Sequence, residues 1–85
     1  MTDVEIRGER IAQFIKDEAI QEALANMREA NYGLFRIATT EEERRMAQAR
    51  AVVLETFEQS MRVIIGAGER ERLERERAER RPTTR

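Results

Sequence analysis

The sequence contains no cysteine, histidine or tryptophan, and it has a single proline, Pro82, and a single lysine, Lys16. Without cysteine no disulfide can form, and without histidine as well the usual ligands of a structural zinc ion are missing. A chain of 85 residues buries only about 60–65% of the surface that its unfolded form exposes, so it needs a further source of stability. Self-association is the source that remains.

The same absences bear on catalysis. Lacking histidine and cysteine, the chain lacks the usual pairs of nucleophile and base. The acidic run 41–43 is explained by helix capping, and Gly66-Ala67-Gly68 has no Gly-Lys-Ser/Thr after it, which favours a helix stop over a phosphate loop. We therefore expect no enzymatic activity, no cofactor and no metal site.

Charge and hydropathy limit the partners. Charged residues make up 39% of the chain, but 16 basic and 17 acidic residues leave a net charge of −1, which argues against nucleic acid and acidic membranes. The longest apolar run, from Val63 to Gly68, is far shorter than the ~20 residues of a spanning helix. The acidic start is unlike a secretory leader. We expect a soluble, intracellular protein.

Hydrophobic periodicity predicts three helices, over about residues 3–15, 18–37 and 41–65. Each is preceded by a residue that can cap its first amides, namely Thr2, Asp17 and Thr40, and Thr2 with Glu5 and Thr40 with Glu43 can each form a capping box. Gly66 and Gly68 supply C-cap positions that would end the third helix. The predicted fold is all-α: an antiparallel hairpin of the second and third helices with a short N-terminal helix.

The C-terminal segment has a different composition. Residues 1–68 form the predicted hairpin domain, whereas residues 69–85 carry seven arginines and five glutamates with only Leu73 and Ala78 apolar. Such a segment has no face to bury, so we expect a charged tail, helical or frayed, that extends into solvent. Its mixed charge argues against strong nucleic-acid binding.

Apolar residues line one face of the second and third helices. The predicted core and oligomer-interface residues are Met27, Leu34, Val53, Leu54, Phe57, Met61 and Ile64. Other apolar residues lie off these stripes: Tyr32, Phe35, Ile37, Val52 and Val63. The N-terminal helix could cover some of them and a neighbouring subunit the rest, so we expect a homo-oligomer with coiled-coil-like packing.

Two polar residues, Asn31 and Arg50, interrupt the stripes and fall within about two residues of one level in the hairpin. With Tyr32 and Arg28 they could form a pocket for an anionic ligand at an oligomer seam, because arginine suits phosphates and carboxylates. The alternative, which we favour, is a polar layer that sets the register, or an arginine whose head reaches solvent.

A set of segments together resembles a group of small helical-hairpin proteins of tailed bacteriophages. These segments are Arg7-Gly8-Glu9, an apolar stretch ending at Ile15, the Ala/Leu helix at 22–24, the turn 38–44 and a helix closing at Gly68-Glu69. The likeness covers about residues 5–69, and Phe35 stands where family members often carry tryptophan. It implies a virion-associated or accessory protein, such as a head or head–tail component that assembles in copies. Its location would be the host cytoplasm or the virion, and other virion proteins could be partners.

Two other phage classes are alternatives. The segment 44–65 is similar to a helix of small anti-defence proteins that oligomerise and sequester cyclic nucleotide signals, chiefly in Ala47, Phe57, Met61 and Arg62. A DNA-packaging adaptor would need a helix-turn-helix with a basic surface, and the sequence shows none. We place the structural role first.

Overall fold

The computed structural model describes residues 1–80, which form three helices. Helix α1 covers Asp3–Lys16, α2 covers Glu18–Ile37 and α3 covers Glu41–Arg80. These residues include no strand, so the prediction of an all-α fold is confirmed for the described part of the chain.

The predicted capping residues fix where each helix begins. Thr2 Oγ1 accepts a hydrogen bond from the Glu5 amide at 3.2 Å, and Asp17 Oδ1 accepts bonds from the first amides of α2 at 2.8 and 3.3 Å. Thr40 Oγ1 accepts a bond from the Glu43 amide at 3.1 Å. Each bond satisfies a backbone donor that the helix itself leaves without a partner.

Helices α1 and α2 both lie along α3. Helix α1 contacts the C-terminal half of α3, with Gly8 against Gly68, and α2 contacts the N-terminal half, where Asn31 Nδ2 lies 3.5 Å from the Arg50 carbonyl oxygen. Asp17 alone separates α1 from α2. The molecule is therefore long and flat, with extents of 72 × 26 × 16 Å.

The prediction that the third helix ends near residue 65 is wrong, because α3 continues to Arg80. No described glycine has a positive φ, so Gly66 and Gly68 do not adopt the left-handed conformation of a C-cap. Ion pairs one turn apart support the helix beyond them: Arg72 with Glu76 and Arg75 with Glu79.

The C-terminal segment adopts the helical one of its two predicted forms as far as it is described, but it is not wholly solvated. It is helical as far as residue 80, and residues 81–85 lie outside the described part. Its Arg75 side chain binds Glu5 of α1, so this end of α3 does have a contact face. The expectation that this segment has no contact face was wrong, because a charged residue can be held by an ion pair with a partner 70 residues away in sequence.

Candidate functional site

Few apolar side chains are buried within one chain. Ala47, Leu54 and Met61 are exposed by only 1%, 5% and 6%. They recur every seven residues on α3 and form one line facing α1 and α2, which Gly68 and Arg75 continue. The core of a single chain is therefore about one row of side chains wide.

A glycine pair brings α1 and α3 into backbone contact. A Cβ atom built on Gly8 would lie 3.1 Å from Gly68 Cα and 3.1 Å from the Ile64 carbonyl oxygen. A Cβ on Gly68 would lie 3.1 Å from Gly8 Cα and 3.1 Å from the Val4 carbonyl oxygen. A Cβ atom at either position would therefore press on the backbone of the other helix, and the two helices would have to move apart by a few tenths of an ångström.

The same contact contains a buried carboxylate. The Glu5 side chain is 1% exposed, and its two oxygens accept hydrogen bonds from Arg75 Nε and a terminal guanidinium nitrogen at 2.9 and 3.0 Å. This two-point pairing uses the fork geometry of arginine. It lowers the pKa of Glu5 chiefly through the hydrogen bonds, against the opposing effect of burial, and it raises the pKa of Arg75.

The residues predicted as core and interface divide into two groups. Leu54 and Met61 are buried within the chain, and Leu34 is partly buried. The other four remain substantially exposed: Met27 at 51%, Val53 at 69%, Phe57 at 49% and Ile64 at 38%. The burial of these four residues by another subunit stays a prediction.

The exposed apolar residues of α3 form a second stripe beside the buried line. At about 100° per residue, Met46, Val53, Phe57 and Ile64 lie about 60–100° around the helix from Leu54, all on the same side. On α2, Met27 and Leu34 are displaced from Leu24 in the matching direction by about 60–80°, and Ile37 lies further round.

Both stripes lie on the same surface of the molecule. Leu34 and Ile37 of α2 line the same depression as Met46 and Arg50 of α3. We call this surface the apolar face, and define it by Met27, Leu34, Ile37, Met46, Val53, Phe57 and Ile64. Only Leu34 among these residues is less than 38% exposed.

The opposite surface holds a polar groove of about 410 Å³. Its polar lining residues are Arg28, Asn31, Tyr32, Glu55, Glu58 and Arg62, and its apolar ones are Phe35, Ala51 and Leu54. Arg28 donates two hydrogen bonds to Glu58, both at 3.2 Å, so its charge is already balanced. Arg62 also lines the groove and donates its hydrogen bonds to Gln59, so two arginines face two glutamates and the groove has no net positive charge.

The predicted polar layer is brought together only in part. Asn31 contacts the backbone of Arg50, but the Arg50 side chain lines the depression on the apolar face rather than the groove. Tyr32 is 63% exposed, and the Arg36 guanidinium stacks over its ring at 5.1 Å. Arg28, Asn31, Tyr32 and Arg50 therefore do not line one pocket within a single chain.

Helix α1 does not cover the apolar residues that lie off the main stripes. Tyr32, Phe35, Ile37, Val52 and Val63 are 63%, 41%, 69%, 50% and 56% exposed. The expectation that the N-terminal helix folds over some of them is wrong, because its contacts with α3 are at Gly68 and Arg75, near the far end of the molecule.

Sequence reasoning missed the contact between α1 and α3. The sequence predicts that Glu5 belongs to a capping box, Gly68 to a helix stop and Arg75 to a solvated tail. One signal was present: Gly68 and Arg75 continue the seven-residue spacing of Ala47, Leu54 and Met61.

The described residues define an all-α protein with a narrow internal core and a broad apolar face. None of its helices has a stretch both long and apolar enough to cross a membrane, and residues 1–80 contain no acidic cluster suited to a metal ion. Comparison with protein-family models, curated proteins and solved structures gives no match.

Proposed function

We propose that this protein has a non-enzymatic, structural role and acts by self-assembly through its apolar face. In this proposal α2 and α3 form an antiparallel hairpin, and α1 lies along the end of α3. The observation that carries it is the exposure of Val53, Phe57 and Met27, at 69%, 49% and 51%, in one continuous surface. Contiguous apolar surface of this kind marks an interaction site in soluble proteins.

The total surface area supports the same conclusion. The accessible surface is 7139 Å², whereas a compact monomer of 10.0 kDa has about 5,200 Å². The excess is larger than the roughly 800 Å² that each partner buries in a standard interface. Burial of the apolar face would supply the stabilisation that the narrow core does not.

The proposed biological setting is a tailed-phage particle, as a virion or accessory component present in several copies. It rests on the resemblance over residues 5–69. In the structure the segments that carry it have architectural positions: Gly8 and Gly68 form the α1–α3 contact, and Thr40 with Glu43 caps α3. Such positions suit a protein whose role is its shape and assembly.

The polar groove gives less support to sequestration of cyclic nucleotides. A phosphodiester needs cations in excess of the surrounding anions. The two arginines of the groove, Arg28 and Arg62, are matched in number by two glutamates, and Arg28 is already paired with Glu58. We therefore favour self-assembly over the sequestration of cyclic nucleotides.

A matched pair of valine substitutions tests the proposal. Val53→Glu places a charge on the apolar face, and Val63→Glu places the same charge at a similarly exposed position about 180° around α3 from Leu54, outside both the core line and the apolar face. We expect the wild-type protein and V63E to form the same discrete oligomer by native mass spectrometry, and V53E to be monomeric. Circular dichroism should show all three to be helical.

Two results would contradict the proposal. One is a monomeric wild-type protein at micromolar concentration. The other is an oligomer whose mass V53E leaves unchanged while V63E disrupts it. Adding cyclic nucleotides to the same samples tests the alternative, because bound nucleotide would appear as a discrete mass increase and would favour sequestration.

A further inference from the structure

We propose that a second copy of this chain docks on the apolar face with its α3 antiparallel to the first α3, so that Arg50 of each copy pairs with Glu71 of the other. This inference rests on the proposed self-assembly and adds the partner, the orientation and the residues that set the register.

The exposed stripe of α3 has the spacing of a coiled-coil seam. Alternating steps of four and three residues connect Met46, Arg50, Val53, Phe57, Ser60, Ile64, Ala67 and Glu71, all of them exposed except Ala67 and Glu71, which are partly buried. The buried seam, one residue later along the chain, contains Ala47, Leu54, Met61 and Gly68 and already faces α1 and α2. A helix with two such seams can pack against two neighbours at once.

Charge sets the direction of the second copy. Arg50 lies near the start of the exposed seam and Glu71 at its end, and neither forms an ion pair within residues 1–80. A parallel partner would place Arg50 against Arg50 and Glu71 against Glu71. An antiparallel partner places each Arg50 within one helical turn of the other copy's Glu71.

The antiparallel register also matches the side chains between these ends. With Phe57 beside the second copy's Ser60, Val53 lies beside Ile64 and Arg50 beside Ala67. The large Phe57 then meets a small residue, and each Arg50 lies one helical turn from the other copy's Glu71. The contact from residue 46 to residue 71 extends over roughly 38 Å of helix.

The position of α2 favours the same orientation. The apolar stripes of α2 and α3 lie on one face, so a complete interface must cover both. A two-fold axis perpendicular to α3 exchanges the two halves of α3 and so places the second copy's α1 level with the first copy's α2, which closes a four-helix bundle with Met27 and Leu34 inside. A two-fold axis along α3 would carry the second copy's α2 to the far side and leave those residues uncovered.

Charge reversal tests the orientation. Each interface contains the Arg50–Glu71 contact twice, so Arg50→Glu or Glu71→Arg alone turns two attractions into two repulsions. We expect either single variant to raise the dimer dissociation constant by about tenfold at low salt, and the double variant R50E/E71R to restore it. Arg62→Glu, on the side of the polar groove, is the control and should leave the constant unchanged.

Cysteine cross-linking gives a second readout, because the chain has no cysteine of its own. A mixture of Val53→Cys and Ile64→Cys proteins should form mainly the mixed disulfide, whereas neither alone should cross-link efficiently. The antiparallel assignment would be overturned if charge reversal left the dissociation constant unchanged and each cysteine variant formed disulfides mainly with itself. Such a result would not contradict self-assembly. A monomeric wild-type protein would overturn both.

Discussion

At the scale of single residues, Glu5 makes one local and one distant interaction, the first through its backbone amide and the second through its carboxylate. The Thr2 half of the predicted capping box forms, since Thr2 Oγ1 accepts the Glu5 amide. The Glu5 carboxylate instead turns toward Arg75, 70 residues away. Nothing local in the sequence distinguishes these two uses of a glutamate at the third helical position.

The Glu5–Arg75 pair predicts a dependence of stability on pH. Because pairing lowers the pKa of Glu5 from its ordinary value of 4.5, the folded state binds fewer protons than the unfolded state on the acid side. The stabilisation is therefore present above about pH 4.5 and is lost as the pH falls through the folded-state pKa.

We expect Glu5→Gln to lower the melting temperature at pH 7 and to reduce the loss of stability on acidification. Glu76→Gln, which removes an exposed ion pair of α3, should have little effect on either. Thermal unfolding followed by circular dichroism from pH 7 to pH 3, at one protein concentration, measures both. An acid limb identical in E5Q and wild type would show that this pair does not couple folding to protons.

At the scale of helices, the starts were predictable and the end of α3 was not. A capping residue acts on amides two or three positions away, so Thr2, Asp17 and Thr40 carry their information locally. Beyond Gly66 and Gly68, α3 is supported by ion pairs one turn apart and by the contact of Gly68 with α1, and a local pattern does not include the contact with α1.

The same limit applies to the apolar stripes. Periodicity selected Leu54 and Phe57 together as core or interface residues, because both are apolar and about 60° apart on the helix. The structure separates them, with Leu54 5% and Phe57 49% exposed. Only the position of the neighbouring helices distinguishes a residue that packs within the chain from one left available to a partner.

Two glycines of α3 should respond in opposite ways to alanine. At Gly66 a Cβ atom would meet nothing within 4 Å, so Gly66→Ala should stabilise the protein by about 0.5–1 kcal/mol through helix propensity. At Gly68 the new atom would press on the backbone of α1, and Gly68→Ala should destabilise it by about 1–3 kcal/mol.

Chemical denaturation of the two variants and the wild type tests this contrast. Gly66→Ala is the matched control, since it makes the same chemical change two residues earlier in the same helix. Equal stabilisation by both substitutions would mean that α1 does not lie against Gly68 in solution.

At the scale of the whole molecule, the shape is unusual for a chain of this length. The radius of gyration is 19.3 Å, compared with about 12 Å for a compact domain of 85 residues. Helix α3 sets this length, because 40 residues extend over about 60 Å. Such a shape has a large lateral surface and small ends, so lateral association buries far more apolar area than end-to-end association.

Lateral pairing makes a prediction for small-angle X-ray scattering combined with light scattering. The antiparallel dimer should have twice the 10.0 kDa mass of one chain and a maximum dimension close to the 72 Å length of one chain. End-to-end association would instead bring the maximum dimension toward twice that length. The V53E variant supplies the monomer reference. It should have half the mass and nearly the same maximum dimension, because the loss of a partner bound along the side does not shorten the particle. A doubled mass with a nearly doubled length would contradict docking on the apolar face, whatever the oligomer's stability.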